Sequence, residues 1–146
     1  MEKRTQITKV ELNRVEGDYH MVAVNEDGNT VAIDAAPAIG GTGKGMRPMQ
    51  MLLSALGGCS SIDVISILKK QKQEVKEIKT IVEGARATDA IPSVFTQLHV
   101  RFVLTGQIDK DKANKAVALS MEKYCSVAAM MDKRTVISYS CEISNG

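Results

Sequence analysis

Tryptophan is missing from this chain of 146 residues, and its aromatic side chains amount to three Tyr and two Phe, against eight Met. A core or pocket built that way has adaptable walls. An excess of one charge is missing too: 19 basic residues are spread against 17 acidic ones, a formal net charge of +2. That balance calls for neither nucleic acid nor an acidic membrane surface as a partner. Histidine is limited to His20 and His99, neither with a cysteine or carboxylate at ligand spacing, so no metal site is expected. No Ser-His-Asp arrangement and no pair of catalytic carboxylates stands out. Gly40-Gly41-Thr42-Gly43-Lys44-Gly45 lacks the spacing and the Lys-Ser/Thr ending of a phosphate loop. It reads as a mobile loop, and no cofactor is called for. The three cysteines are too few and odd in number for a secreted disulfide framework. Met1–Gln6 leads into no apolar stretch. A reducing, cytoplasmic setting is therefore expected.

The length suits one domain over residues 1–146 with a sizeable core of its own. Residues 6–35 read as a three-stranded meander: Thr8, Val10, Leu12 and Arg14 share one face, Glu16-Gly17-Asp18 turns the chain, and Tyr19–Val24 runs back. Glu26-Asp27-Gly28-Asn29 is a second turn, followed by Thr30–Ala35 with Val31 and Ile33 inward. Pro48 suits the first turn of a helix reaching to about Lys72. Apolar residues fall on every side of it, so burial all round is expected, in a core or an oligomer interface. A membrane span is nearly long enough at Pro48–Leu68, but Asp63, four serines and a Gln interrupt the run. Strands follow at Val75–Ala87, broken by Gly84, and at Val94–Leu104, whose alternation puts Val94, Thr96, Leu98, Val100, Phe102 and Leu104 on one face. Asp109 is the expected cap of a helix over Lys110–Lys123 with a stripe of Ala113, Val117, Met121 and Tyr124; Ser126 is the expected cap of a short helix, Val127–Met131. Thr135–Ile143 closes the chain as a strand. The order βββ-α-ββ-αα-β, joined mostly by turns, predicts an α+β fold with largely antiparallel sheets around a long buried central helix.

The chemistry concentrates on two thiols. Cys59 lies within the apolar helix between Gly57-Gly58 and Ser60-Ser61, and Cys125 follows the later helix in Tyr124-Cys125-Ser126-Val127-Ala128-Ala129. Small neighbours leave room for another group to approach, and glycines inside a helix cost about 1 kcal/mol each relative to Ala. The pair is either a redox couple or two buried thiols. Redox work needs a thiolate and commonly a second, resolving cysteine. Asp63, four residues after Cys59, shares its helical face and would oppose a thiolate there. Arg47 is separated from Cys59 by twelve residues of helix, roughly 18 Å, so it could serve only from a second subunit or a folded-back chain. Arg14 is the other candidate cation. Cys125 sits next to an expected helix N-terminus, an arrangement that lowers a thiol pKa. Cys141 belongs to an apolar strand face and reads as core.

The run Arg47-Pro48-Met49-Gln50-Met51-Leu52-Leu53-Ser54-Ala55-Leu56-Gly57-Gly58-Cys59-Ser60-Ser61-Ile62-Asp63-Val64 resembles the central helix of OsmC-like proteins, a superfamily that includes the organic hydroperoxide resistance proteins. Tyr124-Cys125-Ser126-Val127 is similar to its second cysteine motif, and the Arg-Pro-Met start and Ile-Asp-Val ending are nearest to its less characterised OsmC-like branch. The resemblance implies an OsmC-like fold, an intertwined homodimer with the long helices at its centre, and sites that pair Cys59 with Cys125. It further implies a thiol peroxidase in oxidative-stress defence. Cys59 would attack an organic hydroperoxide, Cys125 would resolve the sulfenic acid as a disulfide, and a dithiol or lipoyl-type reductant would reset the pair. Arg14 and Arg47 complete the expected catalytic set, with Met49 and Gln50 as substrate-binding residues. Met49 stands where the peroxidases carry a glutamate that holds the activating arginine, and Arg14 is a loose substitute for their arginine-bearing glycine motif. The alternative is a non-catalytic dimer binding a small apolar ligand beside Met46, Met49 and Met51.

Overall fold

A computed structural model of the chain describes residues 3–144. Six strands and three α-helices follow one another as β1 (Val10–Glu16), β2 (His20–Asn25), β3 (Thr30–Ile33), α1 (Pro48–Lys70), β4 (Glu77–Arg86), β5 (Phe95–Thr105), α2 (Lys110–Leu119), α3 (Ser126–Met130) and β6 (Val136–Ser144). The fold is α+β, and its βββ-α-ββ-αα-β order is the one the sequence predicts. The chain forms two compact units, Met1–Met51 and Leu52–Gly146.

The first unit is an antiparallel meander in the order β1-β2-β3. Asn25 closes the second turn, its Oδ1 accepting from the backbone N–H of Asp27 at 3.1 Å and of Asn29 at 2.8 Å. The expected faces do not translate into burial here: every residue of β1 is exposed, and so is Val31. The pairing of β1 with β2 shifts register between Arg14 and Glu16.

The second unit carries the sheet β4-β5-β6, antiparallel between β4 and β5 and parallel between β5 and β6. The parallel pair is joined by the αα segment of the predicted order, α2 and α3 forming the crossover between its members. Along β5 the core residues Leu98, Val100, Phe102 and Leu104 are the ones the alternation selects, yet Thr96 is exposed and Phe95 buried. A bulge explains the change of side. Ala85 faces Gln97 while Arg86 faces Phe95, so Thr96 is an extra residue and the parity reverses before it. Gly84 does not break β4. A Cβ there would lie 2.6 Å from two ring carbons of Phe95, so the glycine is the floor on which the ring rests.

Leu56, Val64 and Leu68 of α1 join those β5 residues and Ala113, Ala116 and Val117 of α2 in the core. Burial of α1 is confined to one stripe, Leu56, Gly57, Ser60, Val64 and Leu68, whereas Ile62 is 66% exposed. Within the chain itself, therefore, one side of this helix is buried. It is long and apolar enough to cross a membrane by length and composition, but its buried stripe meets protein. The chain leaves it through Lys72 in the left-handed region, with the Gln73 N–H donating to Leu68 O at 2.9 Å, which satisfies a late carbonyl.

Candidate functional site

Cys59 is placed by how α1 meets β4. A Cβ on Gly57 would come within 3.0 Å of Val82 Cγ2 and 3.7 Å of Thr80 Cγ2, so glycine lets the helix lie close to the strand. One turn further, the hydroxyls of Ser61 and Thr80 are 2.6 Å apart. Gly58 has nothing within 4 Å of its Cβ position, so only the first glycine of the pair answers to a close approach within this chain. Cys59 is half-buried beside this contact, and Asp63 follows on the same face one turn later.

Cys125 reaches Cys59 through an irregularity that sequence periodicity does not show. Asp109 caps α2 as expected, accepting from the Lys112 N–H at 2.9 Å. After Leu119 the helix widens into one π-turn, Ser120–Tyr124, closed by the Cys125 N–H donating to Ser120 O at 2.7 Å. Buried Ser120 continues the stripe of Ala113, Ala116 and Val117 at regular helical spacing, and the extra residue of the turn then puts Cys125 on the inner side in place of the expected Tyr124, which is exposed. The Ser120 hydroxyl lies 3.0 Å from Asp63 Oδ2 and 3.3 Å from the Ser60 carbonyl oxygen. Cys125 itself, rather than Ser126, caps α3, its sulfur accepting from the Ala128 N–H at 3.4 Å. The result is a cluster: Cys59 Sγ, Cys125 Sγ and a carboxylate oxygen of Asp63 all lie within 4.8 Å of one another.

Burial pushes the Cys125 thiol above its ordinary value, and Cys59 adds to the rise; the N–H groups of Ala128 and Val127 pull the other way and lose. The expected lowering by a helix N-terminus does not occur. The helix has only five residues, a weak dipole, and Cys125 is 3% exposed. Cys141 lies opposite Phe102 on β6, half-buried, its thiol also raised chiefly by burial.

Residues 41–140 match the family described as OsmC-like protein. The chain belongs to the OsmC-like family. It is 46% identical to the Escherichia coli K12 protein YhfA over 101 residues, which is 68% of this chain and 75% of YhfA. A hypothetical protein from Aquifex aeolicus superposes with a TM-score of 0.82 at 33% identity, covering 96% of this chain and 98% of that one. An organic hydroperoxide resistance protein of Legionella pneumophila superposes at 0.68 with 16% identity, covering 96% and 99%.

Arg14, Arg47, Met49, Gln50 and the glycine-rich loop of this OsmC-like chain lie in its first unit. Arg14 is exposed on β1, paired in register with Met21 at the irregular end of the strand. Arg47 precedes α1 and donates its N–H to Gln50 Oε1 at 2.9 Å, so Gln50 serves the start of the helix; Met49 is half-buried in the same turn. The glycine-rich loop is held rather than loose. Asp34, 1% exposed, accepts from Thr42 Oγ1 at 2.6 Å and from the N–H groups of Ala35, Thr42 and Lys44 at 2.7, 3.0 and 3.3 Å. The Thr42 hydroxyl, with these N–H groups, brings the Asp34 carboxyl down to about 2. Donors that would cradle a phosphate are spent on this internal carboxylate. Of the histidines, His99 has its ring nitrogens 2.7 Å from Ser138 Oγ and 3.1 Å from Ser140 Oγ, and those of His20 have no hydrogen-bond partner among the described residues. Sequence reasoning missed Ser120, although it follows Ala113, Ala116 and Val117 at helical spacing. It underrated Asp63, whose i+4 spacing from Cys59 was readable.

Proposed function

We propose that this OsmC-like protein is a cytoplasmic thiol peroxidase that reduces organic hydroperoxides through Cys59 and Cys125 and works as a homodimer. The observation that carries the reading is the approach of the two sulfurs to within 4.8 Å in a family with hydroperoxide-resistance members. The exposures suggest the division of labour. Half-buried Cys59 is the thiol a substrate reaches first, and buried Cys125 keeps its proton. The Cys59 thiolate attacks the peroxide oxygen; the O–O bond breaks, the alkoxide takes a proton and leaves as an alcohol, and the sulfur becomes a sulfenic acid. The Cys125 sulfur then attacks Cys59, the S–O bond breaks, and hydroxide departs as water with the Cys125 proton. Two electrons have passed from the thiols to the peroxide, and a dithiol returns them. Disulfide closure requires a sulfur separation of about 2.05 Å, so one segment must move, and the short π-turn and α3 are the lighter side.

The face of α1 opposite its buried stripe supports the dimer: Gly58 is open there and Ile62 and Ile65 are exposed. The deciding experiment adds cumene hydroperoxide and a dithiol to the reduced protein and follows peroxide loss. Turnover is expected, absent in Cys59→Ser and limited in Cys125→Ser to the formation of a sulfenic acid trappable with dimedone. Undiminished turnover in Cys59→Ser, or none in the native protein, overturns the reading. Sedimentation at micromolar concentration tests the dimer directly; a monomer refutes that part.

A further inference from the structure

We propose that Cys59, Asp63 and Cys125 form a three-donor site for a thiophilic divalent cation of the Zn2+ type. The expectation of no metal rested on histidine spacing; here the donors come from one helix face and a remote π-turn. Two thiolate sulfurs and one carboxylate oxygen are a donor set that zinc accepts, and the sulfurs select against Mg2+ and Ca2+. With Zn–S of about 2.3 Å and Zn–O of about 2.0–2.2 Å, tetrahedral donors stand about 3.5–3.8 Å apart. Mutual distances of no more than 4.8 Å reach that spacing by shifts of about 1 Å, well short of what disulfide closure demands.

The surroundings favour the ion as well. A carboxylate beside two thiols opposes thiolate formation, and a dication reverses that opposition by pairing with all three groups. Ser120 donates to Asp63 Oδ2 at 3.0 Å and so acts as the hydrogen-bonded support that orients a ligating carboxylate. The Ala128 N–H, 3.4 Å from Cys125 Sγ, points at the sulfur in the manner that suits a metal-bound thiolate. Cys59 and Asp63 are only half-buried, which leaves a way in. A fourth position is left for water or an exogenous ligand.

Cobalt(II) titrated anaerobically into the reduced, chelator-stripped full chain tests the proposal. One equivalent per chain should produce a thiolate-to-cobalt charge-transfer band with tetrahedral visible bands, and Zn2+ should displace it. Cys59→Ser and Cys125→Ser should each abolish the band, and Cys141→Ser should leave it unchanged. Ser120→Ala should weaken binding about tenfold, and Asp63→Asn by more. No band in the native protein, a band that survives Cys125→Ser, or an Asp63→Asn variant of native affinity overturns the site. The native spectrum decides even where a variant fails to fold. A protein that binds cobalt this way without consuming hydroperoxide keeps this proposal and loses the peroxidase reading; the reverse result does the opposite.

Discussion

Gly84→Ala probes the arrangement that fixes the sheet beneath the thiol pair. The added Cβ would sit 2.6 Å from Phe95 Cδ1 and Cε1 and 2.9 Å from Leu98 Cδ2. Carbon atoms rest about 3.5–4.0 Å apart, so the ring must withdraw by about 1 Å. Phe95 is buried and Leu98 lies in the core, which leaves it little freedom to do so. Overpacking of this kind costs about 1–3 kcal/mol, while removing glycine from a strand gains about 0.5–1 kcal/mol. The clash wins, and a net loss of about 1 kcal/mol is expected. In a Phe95→Leu background the side chain can rotate clear, so the same alanine should stabilise. Urea unfolding of the four proteins closes a double-mutant cycle, with an expected coupling on the order of 1–2 kcal/mol. A neutral or stabilising Gly84→Ala in the native background, or additivity around the cycle, would refute the claim that the ring needs the glycine.

Two titrations follow from the same structure. Burial holds the Cys125 thiol up, so in a Cys59→Ser/Cys141→Ser protein its alkylation profile should lie above that of a free cysteine, about 8.5. A profile at or below that value contradicts the assignment. Because the folded value is raised, the associated stability is complete below the unfolded value and is lost as pH rises through the folded one. Asp34 has the opposite sign: its carboxyl is lowered to about 2, so its stabilisation is present above the unfolded value of about 3.9 and is lost as pH falls through the folded one. Thr42→Val removes the largest of its supports, and the urea midpoint of the variant should depend less on pH between about 4 and 2. Identical acid dependence in the two proteins would show that the latch does not act through Asp34.

The elements were legible because their signals are local. Pro48 at a helix start, Asp109 as a cap, Gly28 in a turn, and alternation through Leu98–Leu104 each act within a few residues. The departures share a different cause. Thr96 is an extra residue in β5 and the π-turn an extra residue in a helix, and each reverses or rotates every face on one side of it. No residue type announces either, since both show themselves in the tertiary contacts they create, Phe95 over Gly84 and Cys125 beside Cys59. The held loop was misread for a related reason. Its glycines suggested freedom, whereas buried Asp34 lies outside the glycine run and binds it from there.

The pairing of Cys59 with Cys125 was legible only by resemblance, and the π-turn explains why. An uninterrupted helix through Tyr124 would keep Ser120 on the inner face but carry Cys125 to a different angle, with Tyr124 inward in its place. Regular helix brings Ser120 onto Asp63, and the widened turn after it brings Cys125 toward Cys59. Ser120→Ala removes the hydroxyl but not the backbone bond from Cys125 to Ser120 O. The fold of the turn should therefore survive it while the orientation of Asp63 is lost. A site that used the two sulfurs alone would not register that change; one that uses the carboxylate must.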